Sequence, residues 1–198
     1  EYKHLRSKCT NTLTKEFQKK ERDLYKKYYK LVKNKNQKSF YDHVFLDDLK
    51  IMLKESKYNA LDHVPIDALE NFPLYFLGQL NGETDYEFTD KKAYDDFLER
   101  FKKIPEICDS IIYNMRKGMR IKDTIPRIIV LDLLDQYKNT LDLDLEELDF
   151  PAHSIKNIRE SIETYIFPTI KKIKKFLEDE YLCKCTAKIG LCNLSGGS

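Results

Sequence analysis

The residues best able to carry chemistry are four histidines, His4, His43, His63 and His153, and five cysteines, Cys9, Cys108, Cys183, Cys185 and Cys192. A zinc-binding helix needs a second His or a Glu at the spacing that puts both ligands on one face. None of the four histidines has such a partner, so each reads as a surface or hydrogen-bonded histidine. Cys183, Cys185 and Cys192 lack Cys-x-x-Cys spacing and have no His in their segment, which argues against a metal knuckle. An odd number of scattered cysteines does not make a disulfide framework, and the set reads as free thiols in a reducing, cytoplasmic compartment. Asp95-Asp96 and Glu178-Asp179-Glu180 are rich in carboxylates, but neighbours on a helix point about 100° apart and do not form an acid/base dyad. There is no glycine-rich phosphate loop and no nucleophile elbow. The chain by itself therefore nominates no catalytic residue, no metal ligand and no cofactor.

One stretch suggests contact instead of catalysis. Tyr25, Lys26, Tyr28, Tyr29 and Lys30 interleave aromatic and cationic side chains in the basic segment Lys15–Lys38 and form a candidate interaction surface. Such a mixture can stack on bases and meet phosphates. The chain as a whole carries 35 basic and 33 acidic residues, however, so its overall charge gives no case for nucleic acid. A protein partner is the better reading. The acidic stretch Asp142–Asp149 has no glycine at the turn of a calcium loop and reads as a solvated face.

The elements that must position these residues are helical. Only six Gly and six Pro punctuate 198 residues, which favours long helices over a many-turned β fold. Leu13, Phe17, Leu24, Tyr28 and Leu31 recur at helical spacing and predict a first helix over Leu13–Leu31. Tyr41, Phe45, Leu49 and Met52 predict a second, stopped before Pro65. Phe72–Gly78 fits a buried loop, a short helix or a strand, and Asn81-Gly82 is a turn signal. Thr89 is the expected cap of a helix bearing Tyr94, Phe97, Leu98 and Phe101. Pro105 starts another, with Ile107, Ile111 and Met115 on one face and Gly118 as its cap. Asp123 or Thr124 should cap the next, which is apolar on several sides from Ile125 to Leu134 and so belongs in a core. Leu141–Leu145 alternates but is short and acidic, and reads as a loop or turn. A final helix from Ser154 to Tyr181 carries Ile155, Ile158, Ile162, Ile166, Ile170, Ile173 and Leu177 on one face, kinked or split at Pro168. The expected architecture is all-α, an irregular bundle of about six to eight helices.

Several of these motifs resemble a known family. They are Thr89–Phe101, Ile104-Pro105, Asn114–Met119, Ile125-Pro126, Ile166-Phe167-Pro168, Phe176-Leu177, Glu180-Tyr181-Leu182 and Ile189-Gly190-Leu191, with Asn81-Gly82 ahead of them. Their order and spacing, from about Phe72 to Gly196, are similar to the domain-of-unknown-function 885 family. The resemblance implies the N-terminal part of a larger helical, gluzincin-like zinc metallopeptidase fold. Family members carry His-Glu and Pro-Gly-His-His motifs further downstream, which would bind zinc and activate water. This sequence contains no His-Glu pair, so no catalytic residue carries over.

The implied role is a non-catalytic cleft wall or scaffold, with zinc expected only in a downstream segment. The implied partner is the C-terminal zinc-bearing half of the same polypeptide. The competing expectation is a self-sufficient interaction domain that binds a protein through its basic first helix. On either reading 1–198 is one helical domain, with a basic hairpin over 1–60 and the family-like region over 61–194. Residues 195–198 are read as native or as an added linker. Glu1 in place of Met implies a start within a longer frame, and no apolar run is long enough to span a membrane.

Overall fold

The computed structural model describes residues 5, 7–56, 61–67, 71–80, 88–146, 150 and 152–194. The turn signal at Asn81-Gly82, His4 and residues 195–198 lie outside them. Among the described residues there are eight α-helices and no strand. The architecture is thus the all-α irregular bundle expected.

Helices α1 (Lys15–Lys33) and α2 (Phe40–Glu55) form an antiparallel hairpin. The Thr14 hydroxyl accepts from Phe17 N–H and starts α1. Ser39 and Asp42 cap α2 reciprocally, satisfying two of the N–H groups that a helix start leaves free. Lys35 pairs with Asp42 at 2.6 Å and, with Ser39, holds that carboxyl down to about 2.

The apolar stripes of this hairpin do not behave as their spacing predicts. Only Val32, Leu46 and Leu49 are buried. Leu24, Tyr28 and Leu31 on α1, and Tyr41, Phe45 and Met52 on α2, are 42–80% exposed. Periodicity located the helices correctly. It could not say whether a second layer covers them.

The rest of the chain builds a dense core. After a turn at Phe72–Leu74 comes the short α3 (Tyr75–Leu80), which resolves the ambiguous apolar run as a helix. Helix α4 (Lys91–Leu98) is capped by Asp90, one residue beyond the expected Thr89, whose carboxylate accepts from Ala93 N–H at 2.8 Å. A 3₁₀ turn leads into α5 (Ile104–Ile121) with Pro105 in its first turn. Phe76, Phe97 and Phe101 meet with ring centroids 5.5–6.3 Å apart, inside the range for favourable edge-on aromatic packing.

Helix α6 (Arg127–Leu141) differs from expectation in two ways. Neither Asp123 nor Thr124 caps it, and Pro126 occupies that position. Thr124 is drawn instead to the chain's end, accepting from Thr186 N–H at 3.1 Å. The helix is also only half in the core: Val130, Leu133 and Tyr137 are buried, while Ile128 and Leu131 are exposed.

The centre is one long helical segment from Ile155 to Lys184. It comprises α7 (Ile155–Ser161), a π turn (Ile162–Ile166), α8 (Phe167–Phe176), a second π turn (Leu177–Tyr181) and a 3₁₀ turn. Pro168 neither breaks nor splits it. Proline removes one N–H and crowds the preceding turn. Here the turn ahead of it is already widened, with Phe167 N–H bonding Ile162 C=O five residues back. Ile158, Ile162, Ile166, Ile170, Ile173 and Leu177 are fully buried, as their spacing requires. α5 and α6 flank α8, and Arg116 of α5 clamps Glu180 with two bonds of 2.9 and 2.6 Å. No helix among the described residues is long and apolar enough to cross a membrane.

Candidate binding groove between α1 and α5

Gly118 explains how one wall of a groove is made. It is not the cap of α5, which runs on to Ile121 and ends at left-handed Lys122. A Cβ on Gly118 would lie 2.3 Å from Asp123 O and 2.8 Å from His63 Cβ. The absence of a side chain lets the 3₁₀ turn Leu61–His63 and the loop after α5 close on the helix. His63 and Asp123 then meet, with Nδ1 3.1 Å from Oδ2. Asp123 is 2% exposed and His63 9%. An ionised carboxylate can only accept, so Nδ1 is the donor in this bond.

The opposite wall is the start of α1. Asn11 donates to Ser110 Oγ at 2.8 Å and Asn114 donates to Leu13 C=O at 3.4 Å, fixing α1 against α5. Between the walls lies a groove of about 900 Å³, reached by Gln18, Arg22, Asp62, His63, Asn114 and Lys117. It is larger than the clefts of about 340 and 410 Å³ beside α8.

Its polar side chains form one connected group. Burial raises the Asp62 carboxyl above its usual range, while a hydrogen bond from Gln18 and the charges of His63, Lys117 and Arg22 pull it back. Arg22 donates through Nη2 to Ser56 C=O. Its Nε is buried and has no acceptor among the described residues.

The residues singled out by sequence are dispersed. Tyr25 and Tyr29 are half-buried, whereas Lys26, Tyr28 and Lys30 are exposed. The Tyr25 phenol is raised by burial and by its bond with Glu21. Tyr25, Tyr28 and Tyr29 fall at i, i+3 and i+4 along α1 and share one face, with Lys26 and Lys30 four residues apart beside it. His43 and His153 are exposed, the latter edge-on to Tyr94 at 5.7 Å. Cys183 and Cys185 each donate to a backbone carbonyl. Burial pushes Cys185 to about 11 and Cys108 to about 12, which keeps both as thiols.

Sequence reasoning named His63, Asp123 and Gly118 separately but missed the groove, because its parts lie about 60 or more residues apart. The helpful signal was Gly118 within a helical stripe, a mark of close backbone approach.

Over residues 2–193 the chain matches the model of a family described as a bacterial protein of unknown function, DUF885. The chain belongs to the DUF885 family. The match runs through the basic α1–α2 segment, where the sequence motifs quoted above contribute nothing. No curated protein and no solved structure matches this DUF885 chain.

The described residues do not fit a zinc ion. No three His, Cys, Asp or Glu among them gather into a ligand set, and His63 Nδ1 is committed to Asp123.

Proposed function

We propose that this DUF885 chain is the helical, non-catalytic part of a zinc-metallopeptidase-like protein, and that its α1–α5 groove forms one wall of a substrate cleft. The groove carries the reading: a polar channel of about 900 Å³ between two independently anchored walls. Any zinc chemistry belongs to residues outside those described, in a zinc-bearing half that would be this chain's partner. To test this, the purified chain is assayed for bound zinc by atomic emission and for hydrolysis of fluorogenic peptides. The expected result is far less than one zinc per chain and no cleavage above buffer. Stoichiometric zinc with cleavage by this chain overturns the proposal.

A second reading is favoured by the apolar side chains left outside on α1 and α2. On it, the hairpin captures a protein partner. Replacing Leu31 and Phe45 by Asp would then abolish capture while leaving the circular dichroism spectrum unchanged. Capture that survives the change rules the hairpin out.

A further inference from the structure

We propose that the apolar side of the α1–α2 hairpin docks on the same side of a second copy of this chain, about a two-fold axis that runs along the helices and stacks α1 on the partner's α2. This rests on the reading in which the hairpin captures a protein partner, and it names that partner. Three observations support it.

The first is that the bare side chains form one face. Counted at about 100° per residue, Tyr28 and Leu31 of α1 are rotated from buried Val32 in the same sense as Tyr41, Phe45 and Met52 of α2 are from buried Leu49. In an antiparallel pair, equal rotation brings both stripes to one side of the hairpin. With Leu24, Val44 and Ile51 at its edges, this side leaves on the order of 800 Å² bare, about what one partner gives to a standard interface. A monomer seldom leaves so large a contiguous apolar patch in water.

The second is charge. α1 carries eight basic and three acidic residues, net +5, whereas α2 carries two basic and four acidic, net −2 with His43 neutral. A two-fold axis across the helices would set α1 on itself, like charge on like. An axis along them sets each α1 on the partner's α2, opposite charge on opposite.

The third is register. An axis along the helices keeps every residue at its own height. The turn from Lys33 to Phe40 and the Arg22 bond to Ser56 C=O put Lys27 level with Asp48, Leu31 with Val44 and Leu24 with Ile51. Lys27 therefore comes beside the partner's Asp48, between two apolar contacts. Neither Lys27 nor Asp48 is in an ion pair among the described residues, and the Lys27 ammonium lies 5.9 Å from the Tyr28 ring centre. The other charges bordering the face are Lys20, bonded to Glu16, Glu21, bonded to Tyr25, and Glu55, which lies near the height of Lys20.

The test is sedimentation velocity of the purified chain from about 1 to about 200 μM, the weak end of affinities for an interface of this size. The chain is expected to sediment as a monomer with a bare hairpin face at the low end and as a dimer at the high end. Leu31→Asp combined with Phe45→Asp should keep it monomeric throughout, with an unchanged circular dichroism spectrum. Lys27→Asp and Asp48→Lys, each alone, should weaken the dimer at least about fivefold, and the two together should restore it. Single charge changes without effect would overturn the stacking of α1 on α2. A dimer that survives the Leu31 and Phe45 changes would overturn the proposal, because the copies then meet elsewhere. A monomer at the highest concentration would overturn the second copy as partner and leave capture of a different protein standing. A monomer whose thermal midpoint falls by several degrees on the Leu31 and Phe45 changes would overturn both, because the face is then covered within the chain itself.

Discussion

The α1–α2 hairpin and the α5–α6–α8 body are built from similar helices, yet they place their apolar residues in opposite ways. In the body, Ile158, Ile162, Ile166, Ile170 and Ile173 are all 0% exposed. In the hairpin, Leu31 is 57%, Ile51 54% and Tyr41 80% exposed. Each buried aliphatic side chain contributes about 1.5–3 kcal/mol. The body therefore holds the stability, and the hairpin has apolar surface that does nothing for folding among the described residues. The same helical period has produced a core in one region and an uncovered face in the other. The groove lies at the seam between them.

The comparison breaks most sharply by truncation. Ile166→Ala should cost about 2–5 kcal/mol in chemical denaturation, because its removal leaves a cavity in a packed interior. A loss below 1 kcal/mol would mean that the body is loosely packed. Gly118→Ala should cost about 1–3 kcal/mol, since the new methyl meets the Asp123 carbonyl and the His63 side chain. It should weaken groove ligands as well, and unchanged thermal stability would contradict the close approach.

A smaller effect comes from pH. Cys108 is raised by burial from 9.0 to about 12, so the folded state keeps a proton that the unfolded state has released. This contribution is fully present below pH 9 and is lost as pH rises toward about 12, at no more than about 1.4 kcal/mol per pH unit. Cys108→Ala should flatten the alkaline fall of stability followed by urea titration at each pH. The smallest effect is in the hairpin, where Leu31→Asp should change stability by less than about 0.5 kcal/mol, read from the thermal midpoint. A large loss there would mean that α1 is covered in solution.

These contrasts show what the sequence could convey. The Ile155–Leu177 stripe was legible because period and burial coincide there. Thr89 and Gly118 were misassigned as caps because local chemistry competes. Asp90 can accept from Ala93 as well as Thr89 could, and a glycine can serve a neighbour's approach as readily as a helix end. The exposed hairpin stripe was illegible in principle, since an amphipathic pattern reports a preference for burial and not the presence of a partner. The groove depends on pairs such as His63 with Asp123 and Asn114 with Leu13, which no local window contains.

The two π turns act as phase corrections. From Ile158 to Tyr181, a regular α-helix would turn about 140° past the face on which it began. Both residues are nonetheless fully buried. Each wide turn takes an extra residue into its ring and brings the drifting stripe back toward the core. The long segment thus behaves as two short helices kept in step by the wide turns that follow each of them, and it can reach from α4 to the loop before α6 without turning its isoleucines to water.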